Sequence, residues 1–190
     1  MVVVDGVTAP INEPRPFCTR FSKIWFDEKT NGPGLNYEVA TSILGGDIVW
    51  VNGPFPCGMQ NDFTIFNEYG LREMLDEGER VESDDGYWGG VPEFVKTRSS
   101  PFVHDSAKDM RNKVRARHEA VNGRLKIWSI LTTPYRHART GERGLSSHQA
   151  VFFAICVITQ IKINNKEINL FECESYNDSF KNYVDNLVGL

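Results

Sequence analysis

Leu35-Asn-Tyr-Glu-Val-Ala-Thr-Ser-Ile-Leu44, followed by Gly45-Gly46-Asp47 and Ile48-Val-Trp-Val-Asn52, decides the fold. The first part alternates with the two-residue period of a strand, which puts Leu35, Tyr37, Val39, Thr41 and Ile43 on one face. Gly45-Gly46-Asp47 supplies the turn, and Ile48 to Asn52 returns as the second arm of a β-hairpin. Upstream, Val2-Val3-Val4-Asp5 reads as a short buried strand that ends at an Asp5-Gly6 turn, with a proline-studded loop from Pro10 to Pro16. Downstream, Gly53-Pro-Phe-Pro-Cys-Gly58 is expected to break the sheet edge. Asp62 is expected to cap a helix running to about Leu75, stopped by Gly78, before a strand over Glu79 to Ser83. A strand, a hairpin, a crossover helix and another strand specify an α/β protein, a mixed β-sheet flanked by helices. In it the strands bearing Asp5 and Asp84 can be parallel neighbours joined by a right-handed crossover. Both acids then project from the carboxyl edge, where open α/β sheets place their sites.

The next long element is expected to be a helix from Asp105 or Ser106 to about Leu131, stopped by Thr132-Thr133-Pro134. Val114, Val121, Leu125 and Trp128 form its apolar stripe, and Arg115, Glu119 and Lys126 lie within an arc of about 40° on another. A last helix, capped by Ser146-Ser147, carries Val151, Phe152, Ile155 and Ile158 on its core face. The formal net charge of −4 hides an asymmetry: residues 111–143 hold nine Lys or Arg against two acids, leaving −11 elsewhere. Such a local excess suits a polyanion such as DNA, and equally a solvated helix face.

A composition of 41% hydrophobic and 24% charged residues is ordinary for a soluble globular chain, and the length suits one domain over residues 1–190. The longest apolar run, Val151 to Ile158, is too short to cross a bilayer, and no signal segment opens the chain. The expectation is a protein neither secreted nor in a membrane, nuclear in a eukaryote and otherwise cytoplasmic. Cys18, Cys57, Cys156 and Cys173 form no paired motif and read as reduced, mostly buried thiols; His104, His118, His137 and His148 read as surface or capping residues.

Asp5, Asp84 and Glu119 thus emerge as a three-carboxylate group, with 34 residues between the last two. Clustered carboxylates repel unless cations neutralise them, and hard oxygen ligands favour Mg2+ or Mn2+ over zinc. Two such ions roughly 3.5–4 Å apart would serve in-line displacement at a phosphodiester. Taken singly, each acid has a plainer reading, as an Asp-Gly turn residue or an intrahelical partner of Arg115 or His118.

The pattern Asp5-Gly6, Asp84-x-Gly86-Tyr87 and Arg115-x-x-x-Glu119-x-x-x-Gly123-Arg-Leu-Lys126 resembles the DDE superfamily of transposases. It is similar above all to insertion-sequence and PIF/Harbinger-like enzymes with a Tyr-Arg-Glu-Lys helix signature, and Asn112 stands at the position of the signature's Tyr. The resemblance covers about residues 2–162. It implies a ribonuclease-H-like fold, with Asp5, Asp84 and Glu119 as catalytic metal ligands for two Mg2+ or Mn2+ ions. It also implies Arg115, Arg117, Arg124 and Lys126 as DNA-binding residues and double-stranded DNA, at transposon ends, as the substrate of hydrolysis and strand transfer. A homo-oligomer is compatible with this. Only four residues precede Asp5, so the expectation is a DDE-type catalytic domain lacking an upstream DNA-end-binding region. The alternative is a truncated or domesticated transposase domain that binds DNA or protein without catalysis.

Overall fold

A computed structural model describes residues 2–14, 23–76, 79–84, 87, 95–96, 105–168 and 170. The strands are β1 (Val2–Pro10), β2 (Phe26–Asp27), β3 (Gly32–Ser42), β4 (Ile48–Pro56), β5 (Val81–Glu82) and β6 (Val95–Lys96). The α-helices are α1 (Asp62–Glu68), α2 (Asp105–Leu125) and α3 (Glu142–Asn164). Together they make a mixed α/β architecture. The strands run in the order β4-β3-β1-β5-β6, with β2 paired to the start of β3. The hairpin pairing of β3 with β4 and the β1/β3 pairing are antiparallel, whereas β1/β5 and β5/β6 are parallel.

β1 is longer than the sequence suggested. It passes straight through Asp5-Gly6, because all nine residues from Val2 to Pro10 find partners on β3, from Ser42 to Gly34. Asp5 is therefore a mid-strand residue opposite Val39. β4 likewise runs past Asn52 through Gly53-Pro54-Phe55-Pro56, with a register shift between Asn36 and Glu38 on its partner absorbing the irregularity. β3 is central, and Gly34 to Thr41 are buried on both faces. Its even face carries Asn36 and Glu38 inward as well as Ala40, which is not the one-sided pattern of a solvent-facing strand.

Each face of the sheet has its own core. On one, Val4, Ala40, Phe66 of α1, Leu71, Val81 and Tyr87 pack together. On the other, Val7, Ala9, Leu35, Tyr37 and Val39 meet Leu125 of α2, Leu131, and Phe152, Ile155 and Cys156 of α3. Tyr37 anchors the second core: its ring stacks on Phe152 at 3.8 Å and 6°, and its hydroxyl meets His148 Nδ1 at 2.7 Å.

The helices differ from the sequence reading in their ends. Asn61, not Asp62, caps α1 by accepting the Thr64 N–H at 2.8 Å, and α1 stops at Glu68, since Gly70 adopts φ +109 before a 3-10 turn at Arg72–Met74. α2 ends at Leu125 rather than Leu131, giving way to a 3-10 turn at Ser129–Leu131, and Trp128 is exposed. α3 begins at Glu142 after Gly141 at φ +66, so Ser146 and Ser147 lie inside it. Its buried face is Gly144, His148, Phe152, Ile155, Cys156 and Thr159, leaving Val151 and Ile158 exposed.

By length and composition α3 could cross a membrane, with a mean hydropathy of 1.4 over its most apolar window. The run from Val151 to Ile158 raises this average, while the Ser, His and Gln residues around it lower it. Here the helix lies on the sheet. Gln160 accepts the Ile48 N–H at 2.7 Å and donates to Asp47 Oδ1 at 2.7 Å, while Gln149 donates to the Gly53 carbonyl.

Candidate active site

The two strands that carry the acids set the site's geometry. β1 and β5 run parallel with Val2 opposite Val81 and Val3 opposite Glu82, so the chain beyond β5 leaves beside Asp5. Tyr87 fixes the turn that follows. Its N–H donates to the Asp84 carbonyl at 3.3 Å, and its ring is buried edge-on against Phe66. Asp84 itself is exposed. Asp85 and Gly86, the middle of the Asp-x-Gly-Tyr frame, lie outside the described residues.

Asp5 is half-buried and accepts the Gly6 N–H at 2.7 Å. Burial pushes its carboxyl up to about 6; the Gly6 bond opposes this, and the negative charges of Asp84 and Asp62 add to it. Asp84 thus lies near enough to act on Asp5 electrostatically.

α2 crosses this edge and touches it twice. Near its middle, the Arg115 guanidinium donates to the Ser83 carbonyl, next to Asp84. Two turns later Asn122 Nδ2 donates to Asp5 Oδ2 at 3.2 Å, while Asn122 Oδ1 is buried with no partner among the described residues. Glu119 falls on the stripe between these contacts and is exposed. Among the described residues no group of three or more His, Cys, Asp or Glu side chains is close enough to hold a metal ion. In this arrangement it is Asn122, not Glu119, that meets Asp5.

The basic residues divide into two kinds. Arg124 and Lys126 are exposed at the end of α2. Arg117 is only 5% exposed: Nη1 donates to the Leu44 carbonyl at 3.0 Å and Nη2 to the Ile43 carbonyl, so its guanidinium holds the hairpin to α2. The expectation that Arg117 faces DNA is corrected accordingly, because the inward stripe of α2 reads Val114, Arg117, His118, Val121, Asn122, Leu125.

His118 and His148 are buried rather than on the surface. His118 Nδ1 pairs with Thr41 Oγ1 at 2.8 Å, and burial brings its pKa down to about 4. A group whose folded pKa is depressed contributes stability that is present above its unfolded pKa and lost as pH falls through the folded value. Here that window runs from 6.5 to about 4. Asp5 and Glu38, raised to about 6 and about 7, act in the opposite sense, losing their contribution as pH rises through those values. The difference between wild type and His118→Gln in urea titrations across pH 7 to 4 isolates the histidine. We expect the wild type to lose up to about 3 kcal/mol relative to the variant over that range. Parallel profiles would remove His118 as the cause. Cys57 and Cys156 are free, and burial holds both thiols up to about 12.

Sequence reasoning missed Asn122, Asp62 and Glu38. Asn122 could have been found from its place one turn beyond Glu119 on the same stripe. Asp62 read as a helix cap, and Glu38 as the outward residue of an alternating strand.

The chain is 27% identical over 158 residues to a probable transposase for insertion sequence element IS702 from Microchaete diplosiphon, a match covering 76% of this chain and 53% of that protein. The chain therefore spans about half the length of the curated relative it matches. No family model matches, and no solved structure does.

Proposed function

We propose that the chain is a DDE-type nuclease domain of ribonuclease-H-like fold, acting on double-stranded DNA at transposon ends through Asp5, Asp84 and Glu119. The observation that supports this reading is the parallel β1/β5 pairing, which puts Asp84, just past the end of β5, on the side of mid-strand Asp5, with α2 and its Glu119 crossing there. The similarity to a probable transposase supports it. The oxygen donors fit Mg2+ or Mn2+: two carboxylates that repel each other, with the orphaned Asn122 Oδ1 beside one of them. Two such ions, when bound, would supply charge neutralisation and Lewis acidity at the phosphodiester.

The chain's own groups do the rest of the work in this reading. Asn122 sets the orientation of the Asp5 carboxylate, and Arg115 pins α2 to the strand exit at Ser83, keeping Glu119 over the edge. Arg124 and Lys126, exposed one to two turns further on, are placed to take backbone phosphates. A second reading, DNA binding without cutting, draws on the exposure of Glu119 and the absence of a closed three-acid group among the described residues.

Plasmid nicking separates the two. The purified protein is expected to nick supercoiled DNA in Mg2+ or Mn2+, and Asp84→Ala to lose this by at least about a thousandfold, the scale of removing a group the chemistry depends on. Equal activity in wild type and variant would end the nuclease reading; salt-sensitive binding with no metal-dependent nicking would establish the second.

A further inference from the structure

Behind β1, on the face opposite Asp5, Asn36 and Asp62 meet over Gly6, whose cross-strand neighbour is Glu38. Gly6 pairs with Glu38 across the β1/β3 ladder, and Asn36 lies two residues earlier on the same face of β3. Asp62, at the start of α1, accepts from Asn36 Nδ2 at 2.7 Å. A Cβ at Gly6 would fall 2.4 Å from Asp62 Oδ1 and 3.0 Å from Asn36 Oδ1, so the glycine is what lets these oxygens approach the β1 backbone. Burial, and after it the negative charges of Asp62, Glu38, Asp5 and Asp84, hold the Tyr87 hydroxyl well above its ordinary pKa.

Three atoms in this cluster are buried and have no partner among the described residues: Glu38 Oε1, Asn36 Oδ1 and the Tyr87 hydroxyl oxygen. Glu38 and Tyr87 are each 1% exposed. The bonds already made leave the orphans rich in acceptors. Trp50 Nε1 donates to Glu38 Oε2 at 2.9 Å, and the Asn36 amide nitrogen is spent on Asp62, which leaves its oxygen turned to the shared space. Glu38 Oε1 and Asn36 Oδ1 are both buried acceptors, and the Tyr87 hydroxyl has at most one hydrogen to give, so the set is unfavourable on its own beside a second carboxylate. A hard cation satisfies both their charge and their lone pairs.

We propose that Glu38, Asp62, Asn36 and Tyr87 form a second divalent-cation site, of the Mg2+ or Ca2+ class, behind β1 and built on side chains other than Asp5 and Asp84. The ion would cross-link α1, β3 and the Tyr87 turn that carries Asp84, so its first effect is on the stability of the fold. The proposal stands on different side chains from the nuclease reading.

Thermal unfolding in EDTA, MgCl2 and CaCl2, with Mn2+ retention in equilibrium dialysis as a direct count, tests it. In Asp5→Asn/Asp84→Asn, which disables the other edge, a metal-dependent rise in Tm and retained Mn2+ are expected to persist. In Glu38→Gln and in Asp62→Asn the rise is expected to vanish, with affinity lowered at least about tenfold. Glu38→Gln keeps the side chain's shape and removes an unpaired buried charge, so it is expected to match or exceed wild type in EDTA and fall below it in metal. Loss of the rise in the Asp5/Asp84 variant with persistence in Glu38→Gln and Asp62→Asn would overturn the proposal, as would a wild type indifferent to divalent cations. Loss of plasmid nicking in Asp84→Ala alongside an intact metal-dependent Tm there would leave both readings standing, and each can fail without the other.

Discussion

Phe152→Ala is expected to destabilise the protein by about 3–5 kcal/mol, the range for truncating a fully buried aromatic. Phe152 has no exposed surface, and its ring lies flat on Tyr37 at 3.8 Å, where α3 meets the centre of the sheet. Removing it deletes the transfer free energy of the ring and leaves a cavity between two rigid elements. The stacking contribution and the support for the Tyr37–His148 hydrogen bond go with it. Against a total of about 5–15 kcal/mol for a typical domain, this is enough to unfold a large fraction of molecules near physiological temperature. Its neighbour Phe153 is 37% exposed, so Phe153→Ala is expected to cost much less. Urea titration of the two variants checks the contrast; equal midpoints would mean that α3 does not pack as described.

Arg117→Ala is expected to cost about 2–4 kcal/mol, more than any other single basic residue of the 111–143 stretch whose surroundings are described. Its guanidinium is buried and hydrogen-bonded to the Ile43 and Leu44 carbonyls at the end of β3. Truncation strands those carbonyls and unpins α2 from the hairpin. Arg124→Ala and Lys126→Ala, on exposed side chains, are expected within about 0.5 kcal/mol of wild type. DNA affinity should show the reverse order: replacing the exposed pair makes the salt dependence of binding shallower by roughly one unit for each phosphate no longer neutralised. An Arg117 variant of wild-type stability would return that residue to the surface set.

The sheet was legible because its signals are local. Gly45-Gly46-Asp47 between two β-rich runs specifies the hairpin without reference to anything distant, and the parallel neighbourhood of the Asp5 and Asp84 strands followed from the crossover alone. Asp5-Gly6 misled, because a turn dipeptide is overridden when a whole partner strand is available for pairing. The α2 stripe misled for a related reason: Arg117, His118 and Asn122 are polar in sequence but have specific buried partners on β3, the hairpin and β1, and no periodicity scale anticipates those. The same blindness hid Glu38 and Asp62. A carboxylate's inward orientation is decided by a tryptophan or an asparagine on another element, such as the Trp50 and Asn36 found here.

The position of β1 also bears on the order of folding. The β3/β4 hairpin closes over a tight turn, whereas β1 must reach Ser42 on one side and Val81 on the other, each across a long stretch of chain. Loop closure over such distances is slow relative to hairpin formation. The hairpin should therefore exist before β1 slots between β3 and β5, and Asp5 acquires Asn122, Asp84 and Asp62 as neighbours only at that final insertion. A partly folded chain would have its hairpin and none of its acidic site.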